Sequence, residues 1–140
     1  MTEGRTARGG YARGRARKEE ILDAALVLFG ERGYRATSLR DVASRVGMTH
    51  PGVLHHFPSK EHLLAAVLDR RDRMDEERLA HYPDDGLGRL VGLVDVVRRN
   101  AATPAIVELF CVLSAEATAP GHPAHGFFRE RYRRGREELE

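Results

Sequence analysis

Leu39–Phe57 reads LRDVASRVGMTHPGVLHHF, and this stretch decides the fold. Leu39, Val42, Ala43 and Val46 recur at i, i+3, i+4 and i+7, giving a short helix one apolar face. Gly47 ends it, because a glycine past the last turn takes the left-handed conformation without a Cβ penalty. Thr49 is placed to cap a second helix, and Pro51 is tolerated in a first turn whose N–H groups lack intrahelical partners. Val53 and Phe57, four apart, give that helix its own buried side. Two short helices across a tight glycine turn form a helix-turn-helix, whose second helix can enter a DNA major groove. An ordinary helical hairpin has the same outline, so the flanks must decide.

Upstream, Ile21, Leu22, Ala25, Leu28 and Phe29 make the apolar stripe of a helix from about Arg17 to Arg32, closed by Gly33. Ser38 and Asp41 stand three apart before the next helix, a capping box with Asp in the Glu position. Downstream, Pro58 stops the second short helix and Ser59 caps a long one with Leu63, Leu64, Val67 and Leu68 on one side. Helix, helix-turn-helix and exit helix make a three-helix head joined to a body.

The run from Ile21 to Leu64, ILDAALVLFGERGYRATSLRDVASRVGMTHPGVLHHFPSKEHLL, resembles the DNA-binding head of the tetracycline-repressor (TetR/AcrR) family of bacterial transcriptional regulators. The resemblance implies an all-α fold: a homeodomain-like three-helix head with a helix-turn-helix, joined to an antiparallel helical regulatory domain. It implies a sequence-specific DNA-binding regulator, a repressor released by a small-molecule inducer, acting on a double-stranded operator as a homodimer. The alternative is a helical interaction or ligand-carrier protein that keeps the head without specific DNA binding.

Contacts follow residue by residue. Arg40 points outward if Leu39, Val42 and Ala43 point inward, and its guanidinium can take a guanine edge or a phosphate. Thr49, His50, Pro51 and Gly52 occupy the exposed first turn that meets base edges in such helices. By match to family positions, Tyr34, Thr37, His56 and Lys60 are candidates for phosphate contacts, with packing on the head core the alternative for Tyr34 as an aromatic after Gly33. Leu54 departs from the family, which often has a tyrosine there.

Net charge is only +2, yet residues 1–60 hold 11 Lys and Arg against 6 Asp and Glu, while residues 61–140 hold 12 against 15. The basic half contains the helix-turn-helix, as phosphate neutralisation requires. Residues 1–16, with Arg5, Arg8, Arg13 and Arg15 among glycines, are expected to form a disordered basic arm. The head is then 17–62 and the regulatory domain 63–140. One cysteine, Cys111, excludes an intramolecular disulfide and suits the cytoplasm. No apolar run of bilayer length occurs. Neither a phosphate loop nor paired carboxylates in apolar surroundings point to an enzyme. No cofactor is expected, and His55, His56 and His62 lack the companions of a metal site.

In the body, the charged half of the long helix, DRRDRMDEERL, is expected to be a solvated face of i,i+4 pairs. Leu87, Leu90, Val91 and Val94 mark the next helix. The helix from Pro104 is apolar all round and is expected to be buried. Phe128, Tyr132, Gly135 and Leu139 stripe the last one. An inducer cavity is expected among Met74, Leu90, Val94, Phe110, Cys111, Phe127, Phe128 and Tyr132, though helical spacing is equally that of core. Family members usually continue through two more long helices that pair in the dimer. Their absence here implies either a fragment, the favoured reading, or dimerisation by another surface.

Overall fold

The computed structural model describes residues 3–137, with side chains described over 10–137. Seven helices occur among them: α1 Glu3–Arg32, α2 Leu39–Arg45, α3 His50–His56, α4 Lys60–Leu79, α5 Gly86–Ala101, α6 Pro104–Glu116 and α7 His125–Glu137. No helix among the described residues is long and apolar enough to cross a membrane.

Local chemistry sets the ends of the short helices. Ser38 Oγ accepts from Asp41 N at 3.1 Å, while Asp41 Oδ2 accepts from Ser38 N at 2.8 Å, closing the capping box. After α2, Gly47 N donates to Ser44 O and Met48 N to Ala43 O, the paired bonds of a Schellman turn. Gly47 sits at φ 65°, where an L side chain is strained. Thr49 Oγ1 accepts from Gly52 N at 3.1 Å to cap α3, and Ser59 Oγ accepts from His62 N at 3.2 Å to cap α4.

One apolar core runs through head and body. Ile21, Leu28, Phe29, Val42, Val53, Leu63, Leu64 and Val67 fill it on the head side and Leu109, Leu113 and Phe128 on the body side. The two meet where α1 lies along α6, the most extensive helix pairing among the described residues. Helix α4 runs unbroken across residues 62 and 63.

Several expectations change here. The segment expected to be a disordered arm is helix from Glu3 onward, with residues 1–2 outside the described ones. Once the packed part of α1 is nucleated, each upstream residue adds a hydrogen bond, and Arg, Ala and Lys are good helix formers. Arg15 over the Tyr11 ring at 5.2 Å accompanies this extension.

The charged half of α4 is not simply solvated. Arg71, Asp72 and Asp75 are buried. Arg71 bonds Asp75 at 2.5 Å within α4 and Asn100 of α5 at 2.6 Å, and Asp72 pairs with Arg131 and Arg134 of α7. Burial lowers the Arg71 pKa and raises that of Asp72, against the pull of their partners. The i,i+4 pair is legible in the sequence, but α5 and α7 closing over it is not.

Helix α5 packs by the face opposite its apolar stripe. Gly88, Gly92 and Val96 are buried, with Tyr82 and Leu79 so close to Gly92 that a Cβ there would lie 2.8 Å from the Tyr82 ring. Leu87, Leu90, Val94 and Val97 face outward. Helix α6, expected to be wholly enclosed, buries Leu109 and Leu113 and leaves Val107 and Cys111 exposed. On α7, Phe128 is buried and Tyr132 exposed, while Leu139 lies outside the described residues.

A candidate DNA-binding face and a tied turn

The outer surface of α2 and the first turn of α3 carry the exposed polar groups that the helix-turn-helix presents. Val42, Ala43 and Val53 are buried beneath it, so the two helices are fixed from behind. Arg40, Thr49 and Pro51 are exposed, and His50 and Gly52 are half-buried at the same end of α3. Thr49 uses an oxygen lone pair on the cap and keeps its hydroxyl proton for an outside acceptor. A Cβ on Gly52 would stand 3.2 Å from Thr49 Oγ1 and cover the cap. Thr49, His50, Pro51 and Gly52 share one turn, and Arg40 is exposed on the helix before it.

His56, at the far end of α3, is half-buried. Burial first, then the neighbouring His55 and Lys18, hold its imidazole below the ordinary histidine value, so it is neutral at pH 7. Lys18 of α1 stands over the Phe57 ring at 5.5 Å, which puts a cation from α1 beside the end of α3. Only tertiary packing brings it there; within the sequence it is one more basic residue of the N-terminal run.

Two of the phosphate candidates prove to be structural. Thr37 is 1 % exposed; its hydroxyl donates to Gly33 O at 2.8 Å, with Leu28 O at 3.2 Å. It closes the end of α1 and cannot reach a ligand. Tyr34 is 6 % exposed, with its ring against Phe29 at 5.8 Å and His122 at 5.2 Å. Burial and the neighbouring Glu61 carboxylate push its hydroxyl pKa up to about 12. Lys60 donates to Tyr34 O at 2.9 Å and stands 4.2 Å above its ring, tying α4 to the α1–α2 turn while staying partly exposed.

From the body, Glu116 Oε2 accepts from Tyr34 N at 2.8 Å. His122 takes Ala124 N on Nδ1 and holds Nε2 3.5 Å from the same Glu116 oxygen. His122 is therefore a buried tie between the end of α6 and the head. No local pattern announces the tie, since Glu116 and Tyr34, which it joins, are 6 and 88 positions away in sequence.

Thr37→Val should cost about 1–3 kcal/mol of stability by leaving the Gly33 carbonyl without its donor. DNA affinity per folded molecule should not change. Thermal denaturation beside a fluorescence-anisotropy titration separates the two; a selective loss of affinity would return Thr37 to the binding face.

The residues expected to line an inducer cavity do not converge. Leu90, Val94 and Tyr132 are 59 %, 47 % and 63 % exposed, and Met74 and Cys111 are also exposed. Leu90 and Val94 fail because glycines, not the leucine and valine stripe, face α4. Phe110, Phe127, Phe128 and Tyr132 instead stack as neighbouring rings, with centroids 5.2–6.2 Å apart and Phe128 at the centre. An open depression of about 340 Å³ runs beside α4, lined by Leu64, Ala65, Leu68, Pro123, Ala124 and Phe127, with Glu61 and Asp69 at its rim. Phe127 alone of the expected residues lies on it.

Comparison with known proteins gives the same head. Residues 21–67 match the model for bacterial regulatory proteins of the tetR family. The transcriptional repressor KstR2 of Rhodococcus jostii is 32% identical over 114 residues, covering 81% of this chain and 49% of the relative. The repressor Rv3405c of Mycobacterium tuberculosis is 53% identical over 49 residues, covering 35% of this chain and 26% of the relative. Among solved structures, the ketosteroid transcriptional regulator KstR2 of Mycobacterium tuberculosis superposes with a TM-score of 0.68 at 28% identity, over 86% of this chain and 63% of that one. A gamma-butyrolactone receptor superposes with a TM-score of 0.63 at 27% identity, over 77% and 56%. The chain spans about half the length of the Rhodococcus relative. Over residues 21–67 the chain thus matches the tetR family of bacterial regulatory proteins, and its described helices follow the fold of the KstR2 structure.

Proposed function

We propose that this chain is a sequence-specific DNA-binding transcriptional repressor whose head is 17–62 and whose regulatory part is 63–140. The observation that carries this is the surface of Arg40, Thr49, His50, Pro51 and Gly52, exposed or half-exposed on a helix pair whose other side is fixed in the core. The first turn of α3 meets base edges, with Pro51 against a thymine methyl and His50 as donor or acceptor. Arg40 takes a guanine edge or a phosphate. Lys60, His56 and Lys18 lie along the backbone. The basic extension of α1 adds phosphate contacts.

A small, largely apolar effector binding against α4 tilts that helix and lowers DNA affinity. Two features support this: the depression beside α4, and the structural likeness to a gamma-butyrolactone receptor. The double-stranded operator is shared by two heads of a homodimer.

Selection of bound sequences from random DNA, followed by titration, tests the proposal. Arg40→Ala should weaken the selected site by about 1–3 kcal/mol, with stability changed by less than about 0.5 kcal/mol. Unchanged affinity removes Arg40 from the face, and no enriched sequence removes the function. Deleting residues 1–16 should weaken unrelated DNA as much as the operator. It should also flatten the slope of log affinity against log salt by roughly 0.9 for each phosphate that the deletion leaves unneutralised. A weakening confined to AT-rich sites would indicate minor-groove reading instead.

A further inference from the structure

The backbone of Tyr34, in the turn between α1 and α2, is gripped at both of its polar groups by side chains from two other helices. Glu116 Oε2, in the last turn of α6, accepts from Tyr34 N at 2.8 Å, and Lys60 Nζ, in the first turn of α4, donates to Tyr34 O at 2.9 Å. The space for the carboxylate comes from Gly33. That residue stands at φ 81°, and a Cβ there would collide with Glu116 Oε1. Glycine at 33 therefore supplies the left-handed backbone that ends α1 and clears the place that Glu116 enters. From the other side, the buried His122 packs its ring edge-on against Tyr34, with Nε2 3.5 Å from Glu116 Oε2.

Hydrogen bonds continue from this grip to the exposed face of α2. Thr37 N donates to Tyr34 O at 3.3 Å, and the Thr37 hydroxyl donates to Gly33 O at 2.8 Å. Ser38 and Asp41 then close the capping box, and Arg40 stands exposed at the second position of α2. Tyr34 and Arg40 are six positions apart, joined by a bonded turn and a bonded cap, so a shift at Tyr34 is passed on to Arg40. Holding α1 on α6 does not need this bond, because Leu109 and Leu113 already fill that contact. What a half-buried carboxylate adds, reaching 82 positions back to a single N–H, is the orientation of the turn.

We infer that Glu116 is a positioning residue for DNA binding: through Tyr34 it sets the orientation in which α2 presents Arg40. Glu116 touches no nucleic acid itself. The inference rests on the DNA-binding reading and adds to it a residue of α6, outside the head.

Titration of the full 140-residue chain against the duplex selected from random DNA tests this, at a temperature where circular dichroism shows every variant folded. Glu116→Ala should weaken binding about three- to thirty-fold, the range for residues that act on a site through others. Amide exchange at Tyr34 should quicken while Leu109 and Leu113 stay protected. Glu116→Gln should recover most of the loss, since its amide oxygen can accept in place of Oε2. In a double-mutant cycle, Arg40→Ala should cost less in the Glu116→Ala background than in the parent, because a misplaced Arg40 has less to lose. A parent that binds the selected duplex while Glu116→Ala binds it equally overturns the inference and leaves the DNA-binding reading standing. Losses from Glu116→Ala and Arg40→Ala that simply multiply also overturn it, as a purely structural role would give. So does a loss in Glu116→Gln as deep as in Glu116→Ala, which makes the charge and not the bond the cause. A parent that selects no sequence overturns the inference and the DNA-binding reading together.

Discussion

Arg71→Met should cost about 3–5 kcal/mol of folding stability, because removing one member of a buried ion pair leaves the other charged and unpaired. The Arg71 side chain is 3% exposed and holds both Asp75 and Asn100, so the substitution frees a carboxylate on α4 and an amide on α5 together. Arg78, 3.4 Å from the same Asp75 oxygen, compensates in part and places the loss toward the lower end of that range. For a domain this size the melting temperature should fall by ~10–20 °C. Adding Asp75→Asn should recover part of the loss, since the stranded charge is then gone. Thermal denaturation of the single and double variants checks both. If the single variant melts like the parent, the seam between α4 and α5 holds without this pair.

Leu109→Ala is the second large effect. Leu109 is fully buried on α6 against α1, where Gly30 brings the two helices so close that a Cβ there would stand 3.0 Å from Leu109 N. Truncating a buried leucine costs about 2–5 kcal/mol, with the upper part reached where the surroundings cannot collapse. Two helix backbones already in contact cannot move closer to fill the gap, so the upper part applies here. Denaturant unfolding should show the midpoint falling with its slope unchanged. Because α6 also carries Glu116 to Tyr34, the α1–α2 turn should gain hydrogen-exchange rate before the core does. Protection reduced only around α6 would show that head and body open independently.

The head is legible in the sequence because its signals are local. Ser38 with Asp41, Gly47, Thr49 and Ser59 each act within four residues of their partners, and the caps form between the residues that the spacing names. The i,i+3,i+4 stripes on α1, α2 and α4 need only one buried side each. The exposed face of Arg40 and Thr49–Gly52 follows as its complement. Tyr34 and Thr37 read differently in sequence and structure for a related reason. Both stand in the loop between α1 and α2, where Thr37 turns back onto the end of α1 and Glu116 at the end of α6 reaches Tyr34 from 82 positions away.

The body is harder, because there the question is which face of a helix meets which neighbour. On α5 the most apolar stripe points outward, since Gly88 and Gly92 allow an approach to Tyr82 and Leu79 that bulkier residues forbid. On α4, Arg71, Asp72 and Asp75 look like a solvated run until Asn100, Arg131 and Arg134 arrive from α5 and α7. The basic extension of α1 lacks any apolar stripe of its own, yet it continues the helix that the packed segment nucleates.

By itself, then, the sequence determined the helices of the head, their caps, the glycine turn and the likeness of residues 21–67 to the tetR family. These depend on hydrogen bonds and apolar repeats spanning fewer than about four residues. Only the tertiary structure decided which polar groups are buried, which apolar stripe stays in water and which histidine ties body to head. Those outcomes depend on backbone approach and on partners tens of residues away, which no local pattern encodes.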